Sequence, residues 1–370
     1  MDVKKILFNA LQYEANGAGI SRYTKRVMET FIEQDYPIDI LIRNELADVY
    51  HNEHVIPIEG AIGSSAKRIM EEQLIQRKRY KEYGLVHFPD YATPLFYKGP
   101  KVATIHDMAM HTMRDKRTLM QNITKSTLLG YTIKTAEHLI CVSEFSKKEL
   151  YKYYPHIKAK VSVIHEGIDI PKYKFTSEKE DAILNKFSIR CPYILFVGTL
   201  APHKNIIHLI RSFAILKKEK LDYQLIIVGK KGWMYDEIFN EVKVLGLEKS
   251  IIFTDFITNE ELEVFYQKAT LFVSVSLYEG FGLPPLEAMG RGCPTLVSNL
   301  EVFKETCEES VFYCDPMDVN DIAKTMIHIL ENETLRKKLS TLGMKRAQKY
   351  NWKQTAKETF EVYKQILEVR

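Results

Sequence analysis

The sequence predicts an α/β protein built of two Rossmann-like domains. Three observations carry that prediction. Short β-branched and aromatic runs alternate with helical patterns along the chain, as in parallel sheets covered by helices. Several of those runs end in glycine or polar loops, which is where open α/β sheets bind ligands. With 370 residues the chain can bury two cores, and its alternation stops once, at polar residues 171–190, before restarting at Tyr193. The expected division is 1–170, a linker over 171–190, and 191–351, with a last helix at about 352–370.

Composition narrows the function classes. Apolar residues make up 45% and charged residues 27%, as in a soluble globular protein, and the net charge of +4 is too small to favour nucleic-acid binding. Five cysteines, none in a C-x-x-C pair, read as reduced thiols in a cytosolic protein. Met1-Asp-Val-Lys-Lys-Ile-Leu-Phe-Asn turns polar too soon for a signal peptide and reads as the first strand. No uncharged apolar run reaches membrane-spanning length, so a soluble or peripheral protein is expected.

The first strand, Ile6 to Ala10, leads into Asn16-Gly17-Ala-Gly19-Ile-Ser21-Arg22 and a helical pattern through Val27, Met28 and Phe31. The dinucleotide fingerprint fails here because Arg22 takes the place of its third glycine. Gly17 and Gly19 still permit a ligand to approach the backbone, or simply make a tight turn. Ile38 to Ile42 is the next strand. Residues 65–83 read as one charged helix in which Lys67, Arg68, Arg77, Lys78, Arg79 and Lys81 mix with Glu71, Glu72 and Glu82. Two readings fit that pattern, a solvated face and a weak membrane-docking surface.

Leu85 to Asp90 and Lys101 to Asp107 are strands with polar ends, which puts His106 and Asp107 at a ligand-binding edge. A helix over 118–137 precedes the strand His138 to Val142, and Ser146 with Glu149 has capping-box spacing. Val161 to Ile164 ends in the glycine turn at Gly167.

The second domain opens with Tyr193 to Val197, then Gly198-Thr199-Leu-Ala-Pro202-His203-Lys204-Asn205 and a helix to Lys217. Lys204 lies beside the positive end of that helix, an unfavourable place for a cation unless an anion binds there. Tyr223 to Lys230 and Ile251 to Ile257 follow as strands, with Phe256 either an aromatic platform or a core residue. Next comes the stretch around which the domain is arranged. The buried strand Ala269 to Val275 runs into Ser276-Leu-Tyr-Glu279-Gly-Phe-Gly282-Leu-Pro284-Pro285-Leu-Glu287-Ala-Met. Prolines suit a first helical turn, and a glycine turn before a helix N-terminus makes an anion cradle from free N–H groups and a positive dipole end. Glu279 before the turn and Glu287 within the helix suit a ligand carrying hydroxyls beside its phosphate. A capped helix with dipole-favoured acids is the simpler alternative. Strands at Pro294 to Ser298 and Val311 to Cys314 and helices over 320–330, 333–349 and 352–368 complete the chain.

Glu279 to Glu287 resembles the E-x7-E motif of the retaining, family 4 glycosyltransferases, and the other segments recur in that family's order. The resemblance implies the GT-B fold, with two Rossmann-like domains facing across a cleft. It implies a nucleotide-sugar donor held by Gly198, Thr199, His203, Lys204, Phe256, Glu279, Gly280, Phe281, Gly282, Leu283 and Glu287, with Gly17 and Gly19 facing the donor phosphates. Glu287 would hold ribose, Glu279 the donor sugar, Lys204 the diphosphate, and His106 of "T-I-H-D" would steady the sugar from the first domain. The family's usual arginine after the glycine is absent, since Thr199 stands there; His203 precedes Lys204 where some members carry arginine. No D-x-D occurs, so no metal and no cofactor beyond the donor are expected. The look is closest to bacterial mannosyltransferases of surface-polysaccharide assembly. It points to mannosyl transfer from GDP-mannose to a glycan or lipid-linked glycan, in the cytoplasm or at the inner membrane face. A UDP-sugar donor, or a non-catalytic sugar-nucleotide-binding subunit, are the alternatives.

Overall fold

The computed structural model describes residues 5–15, 17, 19–58, 65–95, 97–112, 119–169, 175–255 and 257–369. The chain divides into two compact units, Met1–Gly167 with Asn351–Arg370, and Ile168–Tyr350.

Among the described residues the first unit holds a seven-stranded parallel sheet: β1 (Ile6–Asn9), β2 (Ile38–Arg43), β3 (Val55–Ile58), β4 (Leu85–Phe88), β5 (Lys101–Ile105), β6 (His138–Cys141) and β7 (Lys160–Val163). The order is β3-β2-β1-β4-β5-β6-β7, so the winding reverses between β1 and β4. Loops at the carboxyl ends of strands flanking such a reversal form the ligand edge of a doubly wound sheet. The central strands are buried on both faces, which is why they read as unbroken apolar runs. The helix Trp352–Glu368 belongs to this unit, with Trp352, Ala356, Val362 and Tyr363 packed among Phe8, Val27 and Phe31. Beneath it Tyr363 Oη meets His87 Nδ1, while Thr104 Oγ1 contacts His87 Nε2 at 2.9 Å and Tyr23 Oη at 3.2 Å. Gly167 permits the close approach of this helix, because a Cβ there would lie 2.3 Å from the backbone nitrogen of Trp352.

The expected single helix over 65–83 is broken. Ser65–Met70 is α-helical, Glu71–Ile75 is a π turn and Arg77–Tyr80 is α-helical again. The extra residue in the π turn brings both Glu72 and Gln76 inside and turns Leu74 and Ile75 outward, 61% and 58% exposed. Asn9 Nδ2 donates to Glu72 Oε1 at 3.1 Å, so a buried polar contact overrides helical periodicity.

Among its described residues the second unit holds a six-stranded parallel sheet: β8 (Tyr193–Val197), β9 (Gln224–Val228), β10 (Ile251–Phe253), β11 (Leu271–Ser274), β12 (Thr295–Ser298) and β13 (Phe312–Cys314). Its order, β10-β9-β8-β11-β12-β13, reverses between β8 and β11. The stretch read as a linker is not irregular throughout. Ser177–Lys186 is a helix capped by Thr176, and its Ile183 joins the core around Phe265 and Phe272. Acids at its start and Lys186 at its end suit its dipole, and Ile183, Leu184, Phe187 and Ile189 anchor an otherwise polar segment.

Candidate functional site

In the second unit the loops leaving β8, β9 and β11 converge. After β11, Gly282 adopts φ +92°, and a Cβ there would lie 2.5 Å from the Phe303 ring. The helix Leu283–Gly290 starts at once, with Pro284 and Pro285 in its first turn. Glu279, just ahead of the turn, accepts from Lys204 Nζ at 2.5 Å and from Ser276 Oγ at 2.7 Å. Burial pushes the Glu279 carboxyl up, but the Lys204 ammonium, the nearby His203 and the Ser276 hydroxyl outweigh it and hold it below the usual carboxylate range.

Lys204 ends a tight turn, Pro202–Lys204, after which Asn205 takes a left-handed conformation and opens the helix Ile206–Lys218. Asn205 Nδ2 donates to the Pro316 carbonyl at 2.7 Å, and the Leu277 amide donates to the His203 carbonyl at 2.8 Å, fixing the turn against the β11 loop. The β9 loop lies directly on the β8 loop: Leu200 N donates to Lys230 O at 2.9 Å and Gly232 N to Leu200 O at 3.0 Å. Side chains cannot fit between them, since a Cβ on Gly229 would lie 1.9 Å from the Gly198 carbonyl oxygen. This contact carries Trp233 onto His203, ring centroids 5.5 Å apart and planes inclined by 22°.

Glu287 is placed differently from Glu279. It is 2% exposed and accepts from Tyr266 Oη at 3.0 Å. Arg291 braces this corner, donating from Nη1 to the Glu287 carbonyl at 3.0 Å and pairing through Nη2 with Glu263 at 2.6 Å. Phe281 turns into the core, edge-on to Tyr350, while Leu283 is half-buried. The structure thus brings together Gly198, Thr199, His203, Lys204 and Glu279, sets Glu287 on the inner face of its helix, and gives Phe281 a packing role. Phe256 lies outside the described residues.

In the first unit Gly19, at φ +57°, precedes the helix Ile20–Glu33. Ser21 Oγ closes the loop on Glu14, accepting from its amide at 2.8 Å and donating to its carbonyl at 3.1 Å; a Cβ on Gly17 would lie 2.1 Å from that hydroxyl. His106 follows β5. Its Nδ1 faces Glu166 Oε1 at 3.0 Å and its Nε2 faces the Pro89 carbonyl at 2.9 Å, with Tyr23 edge-on to the ring. Both partners are acceptors, so only the doubly protonated imidazolium satisfies them. Burial opposes that charge, but the hydrogen bond and charge of Glu166 prevail and raise the ring above the ordinary histidine value. Nearby, burial pushes the Asp90 carboxyl up and lifts Glu72 to about 7.

Glu166, Tyr23, Ser276, Tyr266 and Trp233 were not singled out from the sequence. Only Trp233 carried a signal there, an aromatic residue in the glycine loop Gly229-Lys-Lys-Gly232 after a strand. Among the described residues no three His, Cys, Asp or Glu side chains converge as metal ligands, and no helix is long and apolar enough to cross a membrane.

Residues 17–172 match the family described as Glycosyltransferase Family 4, and residues 180–346 match Glycosyl transferases group 1. The chain is 27% identical over 289 residues to O-antigen chain mannosyltransferase B of Escherichia coli, covering 77% of this chain and 75% of that protein. It is 30% identical over 240 residues to the serotype-specific mannosyltransferase WbdA of Escherichia coli, covering 63% of this chain but only 29% of that longer protein. Sucrose-phosphate synthase from Thermosynechococcus elongatus has a similar fold, with a TM-score of 0.82 at 20% identity over 100% of both chains. A family 4 domain followed by a group 1 domain, on two doubly wound sheets, makes this chain a member of the GT-B glycosyltransferases.

Proposed function

We propose that this glycosyltransferase moves a mannosyl group from GDP-mannose to a hydroxyl of a glycan or lipid-linked glycan, with retention at the anomeric carbon and without a divalent metal. The observation that carries the reading is the half-buried Lys204–Glu279 pair at the meeting of two glycine loops. An ammonium already held in place beside a helix N-terminus can take a second anionic partner without reorganising. In the reaction the bond from the anomeric carbon to the phosphate oxygen breaks and the acceptor oxygen bonds to that carbon. The acceptor proton passes to the departing phosphate on the same face. Lys204 and the backbone N–H groups of 280–283 take up the charge growing on the diphosphate. Glu279 accepts from sugar hydroxyls and Glu287 from ribose, whereas both ring nitrogens of His106 are already bonded, to Glu166 and to the Pro89 carbonyl, so it has no N–H left for the sugar. The named activity of the Escherichia coli relative supports mannose as the sugar; the absence of D-x-D in the sequence supports metal independence.

The test is thermal stability against GDP, GDP-mannose and UDP-sugars with and without chelator. A ligand at a hundredfold excess over its Kd stabilises by about 2.7 kcal/mol. GDP compounds should stabilise without metal, and Glu287→Ala should abolish the shift. Stabilisation by UDP compounds alone replaces the donor; no shift with any nucleotide refutes the transferase reading.

A peripheral membrane contact belongs to the same proposal. Exposed Met70, Leu74 and Ile75 lie on the segment that carries Lys67, Arg77, Lys78 and Lys81. An apolar edge among cations suits an anionic lipid surface. Salt-sensitive co-sedimentation with anionic vesicles is expected, and none with neutral ones.

A further inference from the structure

Lys204 and Glu279 cancel one another's charge, yet the diphosphate of a sugar nucleotide brings a negative charge on each phosphate. A diphosphate there calls for positive charge beyond that neutral pair. The residue directly before Lys204 is a titratable base. His203 is half-buried, immediately precedes Lys204, and acts electrostatically on Glu279. Its carbonyl is tied to the β11 loop, so its backbone cannot drift. Its ring lies nearly parallel to the indole of Trp233, which is itself 38% exposed.

That stack is built rather than incidental. It depends on Gly229 and Gly232, the two positions where the β9 loop touches the β8 loop with no room for a Cβ. An indole face attracts a cation more strongly than any other side-chain ring. Glu279 acts on the imidazole electrostatically, Lys204 adjoins it in sequence, and Lys230 and Lys231 belong to the β9 loop that carries Trp233. Glu279 favours its protonation and the lysines oppose it. Lys231 lies over the rings of Tyr235 and Phe239, 5.5 and 5.4 Å from their centroids.

We propose that His203, stacked on Trp233, is the second cationic contact for a diphosphate held by Lys204, and that Trp233 is the positioning residue that keeps the ring there. The inference rests on the donor reading above and adds to it a donor affinity that depends on pH. A sugar nucleotide is a diphosphate diester, neither phosphate of which titrates near neutrality. Any slope of its affinity with pH therefore reports on the protein.

The experiment measures the Kd of GDP-mannose and of UDP-glucose for the full chain between about pH 6 and about pH 8, the interval in which imidazoles titrate. Affinity should fall about tenfold across it, the worth of one charge-assisted contact. His203→Gln should bind as the wild type does at the alkaline end, with no slope. His203→Arg should bind tightly and equally at both ends. Trp233→Leu should bind about threefold more weakly at the acid end and unchanged at the alkaline end, a split that simple loss of folding would not give. In the wild type the fluorescence of the exposed Trp233 should change on binding, and Trp233→Phe should lose that change, since the other tryptophan, Trp352, is buried. Tight binding with a flat pH profile, or a slope that survives in His203→Gln, overturns this inference and leaves the donor reading standing. Binding of neither sugar nucleotide at any pH overturns both.

Discussion

The His106–Glu166 pair gives the most direct test of how the first unit is held together. Glu166→Gln keeps the side chain's size and a carbonyl acceptor for Nδ1 but removes the charge that favours the imidazolium. A hydrogen bond to a charged group contributes about 1.5–3 kcal/mol to stability, and with the neighbouring Pro89 contact retained about 2 kcal/mol should be lost. For a unit of this size each kcal/mol moves the melting temperature by about 2–4 °C, so its transition should fall by about 4–8 °C. The sign with pH is set by the histidine. Its folded value is raised, so its contribution is fully present below the ordinary histidine value and fades as pH rises through the folded one. The gap between wild type and Glu166→Gln should therefore be widest near about pH 6 and narrow toward about pH 9. Differential scanning calorimetry across that range, without ligand, measures it. A gap that is constant with pH, or that widens in alkali, would refute the imidazolium assignment.

Other changes act on the second unit. Lys204→Met should leave the Glu279 carboxylate without its ammonium partner and cost 10- to 100-fold in nucleotide affinity, about 1.5–3 kcal/mol, read by calorimetric titration. Gly229→Ala drives a methyl into the Gly198 carbonyl and should destabilise the unit by about 1–3 kcal/mol in chemical denaturation, while weakening donor binding through the displaced loop. Tyr266→Phe removes the hydroxyl bonded to buried Glu287 and should cost about 1–3 kcal/mol of stability; a neutral result would show that this carboxylate is satisfied without it.

What the sequence reveals follows from how local each signal is. Parallel strands buried on both faces are unbroken apolar runs, so every strand named from the sequence has its counterpart here, and the fold class with them. Among the described strands only β3 lacks such a signal, since its half-exposed Val55 and Ile56 run into a proline at 57. Gly282, Pro284 and Pro285 mark a helix start by their own backbone chemistry, and the helix begins at Leu283. The break at 71–75 was invisible because its cause is a contact with Asn9, more than sixty residues away. The pairing of His106 with Glu166 is equally remote, and nothing near either residue announces it. Glu287 shows a different limit: spacing puts a carboxylate on a helix, but whether it faces solvent or Tyr266 depends on which face the sheet covers.

The return of the chain's last twenty residues to the first unit has a consequence for synthesis. On the ribosome, Phe8, Val27, Phe31 and His87 emerge long before Ala356, Val362 and Tyr363, which cover them. The whole of Ile168–Tyr350 is made in the interval, and that unit is continuous in sequence. The later-made unit can therefore finish folding first, while the earlier one waits with an uncovered apolar face for its closing helix. The chain's order of synthesis and its order of completion are reversed, and the period of greatest exposure to aggregation or to chaperones falls on the half that is made first.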